Sequence, residues 1–285
     1  VLVPHSPVAI DTRRAENEFV KLKINPDGSL QVTDKQTGKI HDNLNYFLDE
    51  GQNGNQQRCM PLNIKKTVSS LGGSAEIALT MNTTLMAKFE IKTELKVAAY
   101  FDKANNKRSD ESVVIPITSI VSIKKDSPVI DIETTFDNTA KDHFLKACFE
   151  TGIKSDEIAS SVVFDTEVYP TSPAKQGAFQ GDELTRHQQH TFMSIDDGES
   201  GFTVLNDSLR DYEVLNADIG LIAQSLIRSV ELRIPCDNRL WMEYPGDDST
   251  QSLGLHTSRY GIMVHGGGWQ GANVYKHACE FNVPV

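Results

Sequence analysis

Apolar and polar residues alternate along most of this chain. From residue 19 the apolar positions Val20, Leu22 and Ile24 are separated by lysines, which is the period of a half-exposed β-strand. Residues 25–28 read Asn-Pro-Asp-Gly and predict a tight turn, after which the alternation resumes, so the segment predicts a β-hairpin. Further long alternating stretches cover Ala75 to Met81, Leu85 to Phe101, Val113 to Ile123 and Val129 to Phe136.

The second half of the chain keeps this pattern, with strands predicted at residues 161–169, 192–195 and 202–205. Asp218 to Val230 has a helical pattern that a strand fits nearly as well, and Gln270 to Glu280 predicts a helix. The polar segment from Asp102 to Glu111 predicts a solvated loop. Short strands separated by polar turns indicate an all-β fold, a large antiparallel β-sandwich with little helix.

We predict a connecting segment at residues 1–18 and a β-sandwich region at 19–285. Whether that region includes a small terminal β subdomain is left open. At 285 residues with 39% hydrophobic content, the chain can bury a substantial core. The chain starts at Val1 without the pattern of a signal peptide, which suggests a piece cut from a longer protein.

Charge and hydropathy exclude two classes of partner. The formal net charge of -11 repels polyphosphates, so no nucleic-acid partner is expected. No apolar run approaches the roughly 20 residues that cross a bilayer, so no membrane partner is expected. The four cysteines form no CxxC pair, and we favour free thiols in a cytoplasmic protein while two disulfides in a secreted parent stay open.

A search for catalytic or metal-binding patterns finds no convincing set. His187 and His190 are the closest histidine pair and give only a weak metal signal. The carboxylate pairs Asp196-Asp197 and Asp247-Asp248 are adjacent in sequence, so on an extended chain their side chains point in opposite directions. The residues alone therefore predict neither a catalytic residue nor a metal ligand, and they describe an acidic β-sandwich protein.

Several segments, in the same order along the chain, resemble the β-rich region that follows the catalytic and helical domains of glycoside hydrolase family 38 α-mannosidases. Each motif is short, but their shared order over nearly the whole chain is specific. The segments that carry the resemblance are Glu16 to Leu30, Asp34 to Gly38, Asp137 to His143, Gln188 to Phe192, Asp196 to Gly198, Tyr212 to Val214, Leu226 to Val230, Leu253 to Thr257 and His265 to Trp269.

The resemblance implies a sandwich of the galactose-mutarotase type within a parent enzyme that binds zinc and cleaves α-mannosides with retention. In that family the zinc ligands and the nucleophilic aspartate lie in an N-terminal barrel, outside this chain. The resemblance therefore implies no catalytic residue, no metal and no cofactor here, and an α-mannoside substrate bound only by the full-length enzyme. It also implies packing against the enzyme's own N-terminal catalytic and helical domains, and a homo-oligomer is left open.

The resemblance also suggests where a substrate would lie. The family's late loop, here Pro245 to Gly254, approaches the sugar, so Asp247, Asp248 and Gln251 are the candidate substrate-binding residues; the alternative is a polar turn. This copy lacks an arginine in that loop. A second candidate is the loop from Asp49 to Arg58, close to a segment where the family's tyrosine-rich motif is absent.

Three further residues are expected to be structural: His143 in a turn, and His265 with Trp269 around a Gly-rich turn.

Two other functions are kept as alternatives. A stand-alone carbohydrate-binding module would need a row of exposed aromatic residues, yet only 7% of the chain is aromatic. A mutarotase-like sugar epimerase would need a histidine acid and a carboxylate base, which His187 or His190 with Glu183 would supply.

Overall fold

The computed structural model describes residues 6–53, 67–172, 186–235, 241–244 and 246–283. The elements are β1 (Arg14–Glu16), β2 (Val20–Ile24), β3 (Leu30–Asp34), β4 (Ile40–Gly51), β5 (Val68–Ser69), β6 (Glu76–Asn82), β7 (Met86–Ala98), β8 (Phe101–Asp102), β9 (Lys107–Arg108), β10 (Ser112–Lys124), β11 (Val129–Asn138), β12 (His143–Glu150), β13 (Glu157–Val162), β14 (Asp165–Pro170), β15 (Arg186–Gln188), β16 (Phe192–Asp196), β17 (Ser200–Asp207), β18 (Asp211–Asn216), β19 (Leu221–Arg228), β20 (Arg233–Pro235), β21 (Trp241–Glu243), β22 (Gly254–Gly266) and α1 (Val274–Asn282).

Two nine-stranded antiparallel sheets form the sandwich. Sheet one has the strand order β1-β2-β3-β4-β12-β19-β18-β15, with β5 paired to β4. Sheet two has the order β14-β13-β16-β17-β22-β11-β10-β7-β6, and the pairs β20–β21 and β8–β9 form small ribbons. The predicted all-β class, an antiparallel sandwich with little helix, is confirmed.

The core lies between the two sheets and is built from the inward half of each alternating strand. Phe89 on β7 and Ile117 on β10 meet Phe149 on β12 and Phe202 on β17 in one continuous cluster. The rings of Phe149 and Phe202 lie 5.8 Å apart. Removing each such side chain from water stabilises the fold by roughly 1.5–3 kcal/mol, so this cluster accounts for the alternation that the sequence shows.

The first hairpin confirms the predicted turn chemistry. Strands β2 and β3 pair from Val20 with Asp34 to Ile24 with Leu30, and the Gly28 amide donates to the Asn25 carbonyl at 3.0 Å. Gly28 has a φ of 87°, and a Cβ there would come within 2.8 Å of the Ile91 side chain. Both the backbone conformation and the close contact therefore require glycine.

Some local predictions were wrong or incomplete. The stretch from Asp218 contains strand β19 rather than a helix, because it pairs with β12 and β18 inside sheet one. Residues 161–169 contain a turn between β13 and β14. The predicted loop from Asp102 to Glu111 contains the β8–β9 ribbon, and Arg108 within it is buried.

Residues 14–16, which precede the predicted start of the sandwich region, form strand β1 and pair with β2 of sheet one. The division between residues 18 and 19 stays a prediction. Cys148 is a buried free thiol and Cys279 an exposed one; Cys59 and Cys236 lie outside the described residues. Within the described ranges, no helix has the length and apolar character that crossing a membrane would require.

Candidate functional site

One end of the sandwich brings three segments together, which we call the loop cluster: residues 49–53, 138–143 and 246–254. The register of the strands causes this meeting. Strand β12 begins with His143 opposite Gly51 of β4, and β11 ends with Asn138 opposite Gly254 of β22. The candidate loop at residues 246–254 therefore lies beside the turn between β11 and β12, more than 100 residues away in sequence.

Asn138 holds the candidate loop to that turn. Its side-chain amide donates to the carbonyls of Gln251 at 3.1 Å and Ser252 at 2.8 Å, and its Oδ1 accepts the Ala140 amide at 3.1 Å. Asn138 is almost fully buried. A buried amide that loses its hydrogen-bond partner costs about 1–3 kcal/mol. The hydrogen bonds of Asn138 therefore hold the candidate loop against the turn between β11 and β12.

Gln251 is fastened by its side chain as well. Its Nε2 donates to Asp142 Oδ1 at 2.9 Å, and its Oε1 accepts the Asp142 backbone amide at 2.9 Å. Asp142 adopts a φ of 52°, a conformation that aspartate tolerates better than most residues. Both the nitrogen and the oxygen of the Gln251 side-chain amide, the predicted substrate-binding group, thus bind Asp142. A sugar would have to share these atoms with Asp142.

Asp247 and Asp248 are the accessible members of the predicted set. Asp248 pairs with Lys141 at 2.5 Å, with both side chains about two-fifths exposed, so the pair contributes at most about 1 kcal/mol. Asp247 Oδ1 accepts the Ser249 amide at 2.8 Å, and hydrogen bonding to Ser249 lowers the pKa of Asp247. Both aspartates therefore present carboxyl oxygens as acceptors on the surface of the loop cluster, a chemistry that suits sugar hydroxyl groups.

Beneath this surface lies a buried charge cluster centred on Asp49. Arg108 Nη2 donates to Asp49 Oδ1 at 2.5 Å, and His143 Nδ1 lies 2.5 Å from Asp49 Oδ2. His143 Nε2 lies 2.9 Å from Oδ1 of Asn138, an oxygen that already accepts a backbone amide. Both ring nitrogens therefore lie within hydrogen-bonding distance of an oxygen atom, and these two contacts fix the ring between Asp49 and Asn138.

The structure places the second candidate loop only in part. Asp49 is fully buried by Arg108 and His143, which leaves its carboxylate no surface for a sugar, and residues 54–58 lie outside the described residues. His143 holds the turn through Asp49 and Asn138, as a structural residue would. Sequence reasoning missed Arg108, which lies in the segment predicted to be a solvated loop, since nothing in the local pattern signals a partner 59 residues away.

His265 and Trp269 lie in structural contacts. His265 Nδ1 donates to the Gly267 carbonyl at 3.1 Å and Nε2 lies 2.9 Å from Thr203 Oγ1. A Cβ at Gly201 would come within 2.1 Å of the His265 ring, so the ring occupies space that only glycine leaves open. Trp269 packs on Phe192 with ring centroids 5.8 Å apart.

Among the described residues, the candidates for a sugar epimerase are not brought together into one site. His187 on β15 stacks on Tyr169 at 4.2 Å, His190 is exposed, and Glu183 lies outside the described residues. Within the described part of the chain, exposed aromatic residues are scattered over separate elements, and they are Phe19, Tyr100, Phe164 and Tyr275. They form no row of the kind that a stand-alone carbohydrate-binding module presents.

A second charge cluster lies on the outward face of sheet one. Lys146 Nζ donates to Glu50 Oε1 at 2.9 Å and to Glu213 Oε2 at 2.6 Å, and the side chain is fully buried. Its ammonium lies 4.4 Å from the centroid of the Phe144 ring. Burial lowers the pKa of Lys146, but the carboxylates of Glu213 and Glu50 outweigh it and raise the pKa above its ordinary value.

In the described ranges no three or more His, Cys, Asp or Glu side chains are grouped so that they could hold a metal ion. The two charge clusters each pair cations with carboxylates, which leaves their oxygens engaged by Arg108, His143 or Lys146. These residues therefore fix the shape of one end of the sandwich and of the outward face of sheet one.

Buried His41 makes the stability of this fold depend on pH. Its Nδ1 donates to the Thr151 carbonyl at 2.6 Å, while Nε2 is buried without a protein partner, and burial lowers the pKa of His41. The unfolded chain therefore binds the proton more readily, so stability is complete above the ordinary pKa of about 6.5 and is lost as pH falls below it.

We expect the free energy of unfolding to fall between pH 7.5 and 5.0, by up to about 1.4 kcal/mol per pH unit for each such site. Urea-unfolding midpoints at several pH values measure this fall. His41→Asn keeps a donor for the Thr151 carbonyl and removes the titration, so its curve should be flatter; His190→Asn, at an exposed position, is the control. A wild-type slope retained in His41→Asn would contradict the prediction.

Comparison with known proteins decides the family. The profile of the "Glycosyl hydrolases family 38 C-terminal domain" matches residues 15–232, which is more than half of the 285 residues. The chain belongs to this family. Both charge clusters and two segments of the loop cluster, from Asp49 to Glu213, therefore lie within the family 38 domain. The candidate loop at residues 246–254 follows the matched region.

Relatives of the family 38 chain extend the match over nearly its whole length. A protein from Halalkalibacterium halodurans, named "Putative mannosylglycerate hydrolase", is 26% identical over 280 residues, covering 93% of this chain and 30% of that protein. An α-mannosidase from Enterococcus faecalis V583 superposes with a TM-score of 0.87 and 27% identity over 97% of this chain and 32% of that one. A second structure, a family 38 protein from Enterococcus faecalis, gives 0.85 and 27%, over 97% and 33%. The chain thus spans about a third of the length of these relatives.

Proposed function

We propose that this chain is the C-terminal β-sandwich part of a retaining, zinc-dependent glycosidase that hydrolyses α-mannosides, and that its loop cluster faces the substrate cleft. The observation that carries the proposal is the superposition of 97% of the chain on part of an α-mannosidase at a TM-score of 0.87. The nucleophile, the acid and the zinc ligands belong to the region outside this chain, against which the sandwich packs. The enzyme is cytoplasmic, which the free thiols of Cys148 and Cys279 support.

The charge of the loop cluster favours a neutral sugar. Its accessible side chains include Asp247 and Asp248, while Lys141 is paired with Asp248 and Arg108 is buried against Asp49. Carboxylates accept hydrogen bonds from sugar hydroxyls and repel an anionic aglycone such as glycerate. Among the described residues, therefore, the cluster fits an uncharged α-mannoside better than mannosylglycerate.

Kinetics of the full-length enzyme test this proposal. Purified full-length protein should retain zinc and hydrolyse an aryl α-mannoside with a higher kcat/KM than mannosylglycerate, whereas the 285-residue chain alone should do neither. Turnover by the chain alone, or absence of α-mannosidase activity in zinc-loaded full-length protein, would contradict the proposal.

Alanine variants of the loop cluster separate direct binding from positioning. If Asp247 or Asp248 touches the sugar in the transition state, Asp247→Ala or Asp248→Ala should lower kcat/KM by about tenfold for each 1.4 kcal/mol lost while the melting temperature stays unchanged. Gln251→Ala removes both hydrogen bonds to Asp142, whereas Asp142→Ala removes only the bond to its carboxylate and keeps the backbone amide. If Gln251 acts only by holding the loop, both variants should lower the melting temperature and kcat/KM together. A loss of kcat/KM in Gln251→Ala at an unchanged melting temperature identifies a direct contact.

Unchanged kcat/KM and unchanged melting temperature in all of these variants would show that the loop cluster does not serve the substrate. The chain would then be a scaffold for the catalytic region.

A further inference from the structure

The hairpin formed by β13 and β14 carries an unusual tip. The two strands pair from Glu157 with Pro170 to Val162 with Asp165, and β14 is an edge strand of sheet two. Only Val163 and Phe164 connect the strands, so both side chains project from the end of the hairpin.

Phe164 occupies a position that phenylalanine disfavours. Its φ is 73°, while that of Val163 is not positive, as in a type II turn, whose second central position takes glycine or asparagine. Phe164 is also fully exposed, at 103% of its reference area. The chain therefore accepts both backbone strain and an unburied aromatic ring, and such outliers cluster where a side chain serves a contact.

The neighbouring residues make the tip an apolar point on an acidic stem. Val163 and Val168 are 68% and 52% exposed. Residues 155–172 contain no lysine or arginine, and their acidic residues are Asp156, Glu157, Asp165 and Glu167. A partner suited to this surface has an apolar pocket for the ring and a basic rim for the stem, the usual arrangement of an aromatic anchor surrounded by polar contacts.

We propose that the β13–β14 hairpin is an anchor that inserts Phe164 into a basic-rimmed apolar pocket on the region of the enzyme outside this chain. This inference rests on the proposed function, because it needs that region in the same polypeptide. The length of the relatives, about three times that of this chain, supplies room for such a pocket. A second copy is a poorer partner, since two identical acidic stems, each on a chain of net charge -11, repel each other when they meet face to face.

Site-directed photo-crosslinking in the full-length enzyme tests the contact. Benzoyl-phenylalanine replaces Phe164, and in a control protein it replaces Leu85, which is 67% exposed in the turn between β6 and β7. The result expected is a crosslink within one polypeptide, from position 164 to residues outside this sequence, and none from position 85. Crosslinks only between two copies, or none from position 164, would overturn the inference.

Phe164→Asn supplies a second measurement that folding defects do not confuse. Asparagine tolerates the positive φ, so the turn itself should be kept or strengthened while the anchor is lost. We expect amide hydrogen exchange across residues 157–170 of the full-length enzyme to become at least about tenfold faster. Leu85→Asn should leave that exchange unchanged, and an unchanged rate in Phe164→Asn contradicts the anchor.

Activity of the wild-type enzyme separates the two proposals. If it hydrolyses an aryl α-mannoside and position 164 forms no crosslink, the anchor fails while the proposed function stands. If it lacks that activity yet position 164 crosslinks to the region outside this chain, the assigned substrate fails while the anchor stands.

Discussion

Replacing Asp49 by alanine should lower the free energy of unfolding by about 3–5 kcal/mol. Asp49, Arg108 and His143 are all almost completely buried, and the Arg108 guanidinium and the His143 ring each lie 2.5 Å from an oxygen of the Asp49 carboxylate. Without that carboxylate, the buried guanidinium loses this ion pair and the His143 ring loses its hydrogen bond. Urea unfolding at pH 7 measures the loss, with Asp126→Ala at an exposed position as the control, where a change within about 0.5 kcal/mol is expected.

The coupling between the two charges sharpens this test. Arg108→Met removes the guanidinium that loses this ion pair in Asp49→Ala, so the double variant should lose less than the two single losses added together. Additive losses would show that the buried pair acts as two independent residues, and a loss below about 1 kcal/mol in Asp49→Ala would show that the site is open to water.

Replacing Lys146 by methionine should have an effect of the same size, about 3–5 kcal/mol, on the other charge cluster. Methionine fills the space of the aliphatic stem but removes the ammonium that Glu50 and Glu213 bind at 2.9 and 2.6 Å. Arg186, 3.5 Å from Glu213 Oε2, stays beside one of the two neighbouring carboxylates. The matched control is Lys96→Met, which removes an exposed lysine from strand β7 and should change stability by less than about 0.5 kcal/mol.

The pH dependence of the Lys146→Met variant distinguishes charge repulsion from lost packing. In the variant, the two neighbouring carboxylates repel each other without the ammonium between them, so the destabilisation should shrink as pH falls toward 5 and protons relieve that repulsion. In the wild type, the raised pKa of Lys146 gives a contribution that is complete below the unfolded pKa of about 10.4 and is lost as pH rises through the folded value. A loss in Lys146→Met that is independent of pH would indicate packing alone.

Strands β12 and β19 show why some elements could not be predicted from the sequence. Every residue of β12 from His143 to Phe149 is buried, because both faces of this central strand are covered. A strand covered on both faces has no alternation, and β19, its neighbour, has the same property over residues 222–226. Periodicity therefore left the segment from Asp218 ambiguous between helix and strand, and strand pairing resolved it.

The candidate site shows the same division. The motif from Asp137 to His143 pointed to the family, yet its physical role became visible only in the contacts of Asn138 with Gln251 and of His143 with Asp49. The predicted residues Asp247, Asp248 and Gln251 do share one sandwich end with that motif. Whether they bind a sugar stays a prediction, and the kinetic comparison of Gln251→Ala with Asp142→Ala addresses it.

The sequence by itself determined the strands with one solvent-exposed face, the turn of the first hairpin and the family. Alternation, turn residues and ordered motifs are each local along the chain. The Gly28 turn and the alternating β7 follow from interactions within a few residues. Only the tertiary structure decided which charges are paired: Asp49 lies 59 residues from Arg108 and 94 from His143, and Lys146 lies 96 and 67 residues from its two glutamates. Those pairings depend on the order of strands within sheet one and on the loops at its end, and no short-range pattern encodes which strands become neighbours.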